Sequence, residues 1–226
     1  MVNVSCIIPA YNEALRVGRV LEVMCAHPLI DEVIAVDDGS TDTTAQTISR
    51  FNEVRLIRQL VNAGKSAAIC AGIRASACEV LVLADADLVG LAESDVTALL
   101  MPVLKGTADM SISLRKDALL PWRTIGLDYL SGERAFHREL IAAHLDAIAA
   151  LPGFGLESYL NELLIRRRAR IEVVNWASVG HTLKARKYGV WKGLSSETLM
   201  MKHIMETTTL AQAAQQISAM QRLRVA

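Results

Sequence analysis

The 226-residue chain predicts an α/β fold, a mixed and mainly parallel sheet with helices on both faces. Three observations lead there. Short β-rich apolar runs alternate with segments of helical period, as in successive βα units. Each run stops at a cluster of turn-forming residues. Apolar residues make up 52% of the chain, enough to cover both faces of such a sheet.

The elements follow in order. Val4 to Ile8 is the first strand, stopped by Pro9, and Ala14 to Ala26 carries Leu15, Val17, Val20, Leu21 and Met24 on a helical period. Val33 to Val36 repeats the strand signal; Asp37 to Asp42 is dense in turn and N-cap residues before a helix near Thr43 to Phe51. Val54 to Ile57 is a weaker strand, Asn62 to Ser66 a loop, Ala67 to Ser76 a small-residue helix, and Val80 to Leu83 a strong strand. Further on, Ser111 to Leu114 reads as a strand ending at Arg115, with Arg123 in a polar interruption after Pro121-Trp122. Ser158 to Ile165 is helical, Ile171 to Trp176 a final strand, and Ser195 to Arg224 a helical tail with an apolar, methionine-rich face. This divides the chain into a domain over 1–193, with halves 1–115 and 116–193, and a tail over 194–226.

Charge narrows the partners. Lysine plus arginine and aspartate plus glutamate each total 24, so no global field favours nucleic acid or an anionic membrane. Cys6, Cys25, Cys70 and Cys78 have no metal-ligand spacing and read as thiols in a reducing cytosol. The chain starts directly in a strand-like pattern, and no run of about 18 apolar residues occurs. A soluble cytoplasmic protein, at most peripheral to the inner membrane face, is expected. The tail could cover the domain, lie on a membrane surface, or pair with a second copy to make a homodimer.

Ligands of such sheets bind at the carboxyl ends of the strands. Two acidic pairs sit there, Asp37 with Asp38 and Asp85 with Asp87. Strand-end aspartates also cap turns, which accounts for the first pair without a ligand. Asp85 and Asp87, two apart on an extended segment, point the same way and repel unless a cation or hydrogen-bond donors intervene. Mg²⁺ or Mn²⁺ resolves the conflict, since it takes one or two carboxylates and fills its other sites with water and phosphate oxygens.

Four ordered motifs sharpen this: Ile7-Ile8-Pro9-Ala10-Tyr11-Asn12-Glu13, Val36 to Asp42, Asn62-Ala63-Gly64-Lys65-Ser66, and the DxD stretch Asp85-Ala86-Asp87-Leu88. Together they resemble the nucleotide-sugar half of family 2 glycosyltransferases, over roughly the first 115 residues. The resemblance implies a GT-A fold, a nucleoside-diphosphate sugar donor and a divalent metal. It implies Pro9, Tyr11 and Glu13 along the nucleoside, Val36 and Asp38 near base and ribose, and Asp85, Ala86 and Asp87 at ribose and metal-diphosphate. Asp87 is the expected direct ligand, and Lys65 a charge partner for the acidic cleft or a solvated loop lysine.

The second half resembles polyprenyl-phosphate sugar transferases and glucosyl-3-phosphoglycerate synthases. In Ser131 to Leu140 the resemblance makes Arg134 a clamp for an anionic acceptor, against a surface arginine opening a helix. Glu157 is favoured over Glu162 as the acid near the acceptor, because a glycine-rich turn around it leaves room for substrate. Arg166 to Arg168 and Arg170 read as a solvated face. His181 fits a third metal ligand in the phosphoglycerate-type relatives, while a basic loop of Lys184, Arg186 and Lys187 would serve diphosphate or acceptor phosphate in the polyprenyl type. The expected function is transfer of a hexose from a nucleotide sugar to an acceptor that is phosphorylated or lipid-linked. The alternative is a nucleotide-sugar-binding or nucleotidyltransferase-like protein. Pro9 to Glu13 stands where that class carries a glycine-rich phosphate loop, which favours sugar transfer.

Overall fold

The computed structural model of the chain describes residues 2–152, 155–181 and 210–225. A seven-stranded sheet runs in the order β3-β2-β1-β4-β7-β6-β8, with β1 Val4–Ala10, β2 Glu32–Asp37, β3 Val54–Arg58, β4 Val80–Leu83, β6 Met110–Arg115, β7 Arg134–His137 and β8 Ile171–Trp176. β7 alone runs antiparallel to its neighbours β4 and β6; the other pairings are parallel. A two-stranded ladder, β5 Leu88–Val89 with β9 Gly180–His181, stands beside the sheet.

Strand alternation decides which helices cover which face. Cys6 and Ile8 of β1 and Val80 and Val82 of β4 pack with α1 (Val17–Ala26), α2 (Thr44–Ile48) and α4 (Glu93–Leu104). Ile7, Leu81 and Leu83 point the other way, onto α3 (Lys65–Ala75), α6 (Leu145–Ala149) and α7 (Gly155–Arg167). Gly72 lets α3 approach the sheet, because a Cβ there would lie 2.5 Å from Ile7 Cγ2.

Several expectations are corrected. α4 was not anticipated, although Val96, Leu99, Leu100 and Val103 follow the i, i+3, i+4, i+7 spacing. Pro121 opens a short helix, α5 (Leu120–Ile125), instead of a polar interruption. Arg134 lies in a strand, not at a helix start. α7 begins three residues before Ser158, so Glu157 occupies a helical first turn and not a glycine-rich loop.

The described end of the tail belongs to the same core. In α8 (Leu210–Arg222), Ala213 and Met220 are buried with α7 residues, and Val225 N–H donates to Ile171 O at 2.9 Å while Ile171 N–H donates to Leu223 O at 2.9 Å. Those bonds extend the β8 edge and shield it. This part of the apolar face is therefore spent within its own chain; the rest of the expected tail, 195–209, lies outside the described residues. Among the described residues no helix is long and apolar enough to cross a membrane. Cys6 and Cys70 are buried, Cys25 and Cys78 half-buried, and all four are free thiols. Burial pushes the Cys70 thiol up to about 11.

Candidate active site

The carboxyl ends of β1, β2 and β4 open into one cleft of about 480 Å³, lined by Pro9, Ala10, Tyr11, Glu13, Asp38, Asn62, Gly64, Lys65, Ala68, Asp85, Ala86 and Asp87. One wall is built by three loops stitched together. Asn12, held at φ 55°, accepts the Thr41 N–H at 2.9 Å on its side-chain oxygen, and Glu13 N–H donates to Thr44 Oγ1 at 2.8 Å. The Glu13 carboxylate pairs with Arg16. Tyr11 stays 43% exposed at the rim.

Asp38 locks the third loop. Its two carboxylate oxygens accept the Ala63 and Gly64 N–H groups at 2.9 Å each, a surrogate cap ahead of α3. Burial raises the Asp38 pKa, the two amides partly offset that rise, and Asp37 adds to it. Gly39, at φ +67°, is demanded by the same approach, since a Cβ would meet Asn62 N at 2.6 Å.

Lys65, the first residue of α3, crosses the cleft floor. Its Nζ lies 2.7 Å from Asp85 Oδ1 and 3.2 Å from Glu157 Oε1. Burial would lower the Lys65 pKa, but Asp85 and Glu157 outweigh it and the net direction is up. Glu157 is 1% exposed, and neither of its oxygens has a hydrogen-bond partner among the described residues, because the Lys65 contact is close but off the line of a hydrogen bond. Gly132 roofs this group: a Cβ there would stand 2.6 Å from Lys65 Nζ and 3.1 Å from Asp85 Oδ1.

The metal-ligand expectation divides along this geometry. Asp85 is engaged by Lys65 at 2.7 Å, and Asp87 lies with it in the cleft lining. Leu88 pairs with His181 in the β5–β9 ladder, so the backbone of His181 lies across from the residue after Asp87. The His181 side chain is outside the described residues, and among those described no three His, Cys, Asp or Glu side chains group as a metal site. The two carboxylates are oxygen donors of the kind that suits Mg²⁺ or Mn²⁺.

Two expected site side chains fall elsewhere. Val36 is fully buried in β2, and its side chain packs toward α3, so it offers no side-chain surface to a ligand. Arg134 is fully buried, donating from Nε to Ser131 O at 2.8 Å, from one terminal nitrogen to Asn161 Oδ1 at 2.7 Å and from the other to Tyr129 O at 3.1 Å. A clamp on an acceptor anion would need exposed donors, and its own are committed inside. Glu162 pairs with Arg166 at 2.6 Å on the outer side of α7. Lys184, Arg186 and Lys187 lie outside the described residues. The sequence reading missed Ala68 in the lining, and the part of Gly132, which depends on contacts between distant segments.

The model of glycosyl transferase family 2 matches residues 5–152, about two thirds of the chain and all of the cleft lining. The chain belongs to glycosyl transferase family 2. Within that family it is 29% identical over 192 residues to glucosyl-3-phosphoglycerate synthase of Mycolicibacterium smegmatis, covering 69% of this chain and 61% of that protein. It is 27% identical over 172 residues to a dolichyl-phosphate beta-glucosyltransferase of Trichomonas vaginalis, covering 67% of this chain and 49% of that one. The chain thus spans between about half and three fifths of the length of these two relatives, and only 29% of another Trichomonas vaginalis dolichyl-phosphate beta-glucosyltransferase. Among solved structures, glucosyl-3-phosphoglycerate synthase from Mycobacterium tuberculosis in complex with Mn²⁺, UDP and glucosyl-3-phosphoglycerate superposes with a TM-score of 0.66 at 26% identity, over 86% of this chain and 79% of that one. The same enzyme is also solved with Mg²⁺ and UDP. The family 2 fold found here is therefore the GT-A arrangement that the motifs implied.

Proposed function

We propose that the chain is a metal-dependent glycosyltransferase that moves a hexose from a nucleoside-diphosphate sugar to an acceptor carrying phosphate. The observation that carries this reading is the shared cleft, with Pro9, Tyr11 and Asp38 on one wall and Lys65, Asp85 and Asp87 on its floor. Tyr11 presents an aromatic face to the base. Asp38, whose oxygens are taken by Ala63 and Gly64, shapes the ribose end more than it accepts from the ligand.

Asp87, with Asp85 and His181, would hold Mg²⁺ or Mn²⁺. When bound, the cation stabilises the negative charge that grows on the departing nucleoside diphosphate. Lys184 and Arg186 would add positive charge at that end. Glu157 is the chain's own candidate for proton work, a buried carboxylate with unfilled acceptor capacity beside the floor. With a hydroxyl acceptor it takes the proton as general base; with a phosphate acceptor, already ionised, no strong base is needed. The named relatives act on phosphoglycerate-type and dolichyl-phosphate acceptors, which supports both phosphorylated classes. The reading implies a cytoplasmic protein that meets lipid acceptors peripherally at the inner membrane face.

The test is calorimetric titration with a panel of nucleotide sugars, in Mn²⁺ and in EDTA, followed by product analysis on small phosphorylated and polyprenyl-phosphate acceptors. Mn²⁺-dependent donor binding and glycosylated product are expected. Binding without product on any acceptor supports the nucleotide-sugar-binding alternative, and an Asp87→Ala variant that binds and turns over normally sinks the metal assignment.

A further inference from the structure

The segment Asp128 to Glu133 forms the wall between the cleft floor and the end of β6, and two arginines hold it from below. Arg115 pairs with Glu133 Oε2 and lies 3.4 Å from Asp128 Oδ2. Ser113 and Ser131 donate to the same Glu133 oxygen at 2.9 and 3.0 Å. Arg134 takes the backbone of the segment instead, through Tyr129 O and Ser131 O, and is itself braced by Asn161, whose Nδ2 donates to Tyr129 O at 3.0 Å. Asp128, Ser131, Glu133, Arg134 and Asn161 are each no more than 3% exposed.

A buried ionic network of this kind is a poor source of stability, because an apolar core of the same shape does as well or better. What it supplies is a fixed geometry, and the point it fixes is Gly132, where an added Cβ would stand 2.6 Å from Lys65 Nζ and 3.1 and 3.2 Å from the two Asp85 oxygens. We propose that Arg115 and Arg134 are positioning residues: they clamp the Asp128–Glu133 segment so that Gly132 backs Lys65 onto Asp85, which orients Asp85 and Asp87 for the divalent cation. This rests on reading the cleft as the donor site. It also gives Arg134 a role from beneath the site in place of the expected acceptor contact.

The test compares Arg115→Lys, Arg115→Met and the double variant Arg115→Met/Glu133→Gln. The double variant removes the Arg115 and Glu133 charges together, so Glu133 is not left as an unpaired buried carboxylate, which alone could unfold the protein, while Asp128 keeps the Leu130 N–H at 3.2 Å. Two readouts are taken on each: the ¹⁵N NMR signal of the Lys65 ammonium, and calorimetric Mn²⁺ affinity in the presence of UDP. In the double variant the ammonium signal is expected to shift or be lost to exchange, with Mn²⁺ affinity down about 10- to 100-fold and the thermal midpoint near wild type. Arg115→Lys should restore part of the affinity. An unchanged Lys65 signal and unchanged Mn²⁺ affinity in the folded double variant overturn the proposal. So does a loss confined to acceptor KM, which would make Arg115 an acceptor contact. If wild-type protein binds no Mn²⁺ with UDP, the donor-site reading fails, and the Lys65 signal alone then decides whether the clamp exists.

Discussion

Leu88 and His181 face each other in the antiparallel β5–β9 ladder, ninety-three positions apart in the chain, which brings the backbone of His181 alongside the segment that carries Asp85 and Asp87. The metal site proposed for Asp85, Asp87 and His181 makes this histidine testable by substitution. Replacing it with alanine should lower Mn²⁺ affinity about 10- to 100-fold while leaving metal-free nucleotide binding in place. Calorimetry with Mn²⁺ and UDP, against UDP in EDTA, separates the two.

Gly132 and Gly39 answer differently to the same substitution. At Gly132 the new methyl meets the end of a flexible lysine, so Gly132→Ala should fold normally but push Lys65 off Asp85, with donor KM rising about tenfold. At Gly39 the methyl meets the backbone of Asn62 in a left-handed conformation, so Gly39→Ala should cost about 1–3 kcal/mol of stability. Paired thermal melts and donor kinetics check both halves of the contrast.

Removing the lysine itself tests the floor. Lys65→Met leaves Asp85 and Glu157 without their shared cation, and should cost about 2 kcal/mol, less than a fully buried pair because the Lys65 side chain is 29% exposed. The folded-state pKa of Lys65 is raised, so its contribution is complete below the ordinary lysine pKa and is lost only as pH climbs through the higher folded value. The difference in stability between wild type and variant should therefore stay flat from pH 6 to about 9 in denaturant titrations.

His27 sets an acid limit of its own. Its Nδ1 accepts the Leu29 N–H at 3.2 Å and its Nε2 lies 3.0 Å from Thr97 Oγ1, so the neutral ring is the one the fold needs. Burial lowers its pKa, more than Glu93 restores. A depressed basic pKa means the unfolded chain binds the proton first, so stability is present above about pH 6.5 and falls as pH drops through the window below it. His27→Gln should flatten that slope between pH 5 and 7, measured by urea unfolding.

Much of the nucleotide half was legible because its signals are local. The Pro9 to Glu13, Asp37 to Asp42 and Asp85 to Leu88 motifs each combine a strand end with its own turn, and the parallel sheet places those ends together by topology alone. Lys65 was readable as a charge partner from its motif, whereas its place as the first residue of α3, and not in the expected loop, comes from the structure. A motif match does not say which face of a fully covered strand a side chain takes; Asp37 ends the strand, and the Val36 side chain points into the core.

The second half was harder for a physical reason. β7 is antiparallel in an otherwise parallel sheet, so Arg134 enters from the opposite direction, and its burial depends on Tyr129, Ser131 and Asn161 closing around it. Hydrophobic period and turn residues specify where strands and helices begin, since those energies are set within a few residues. Which charges end up paired is decided by desolvation at sites assembled from distant segments. The chain's residues alone thus determined the α/β layering and the acidic cleft at its strand ends. Only the tertiary structure decided that Lys65 bridges Asp85 and Glu157, that Arg134 is sealed beneath them, and that His181 comes to lie beside Leu88.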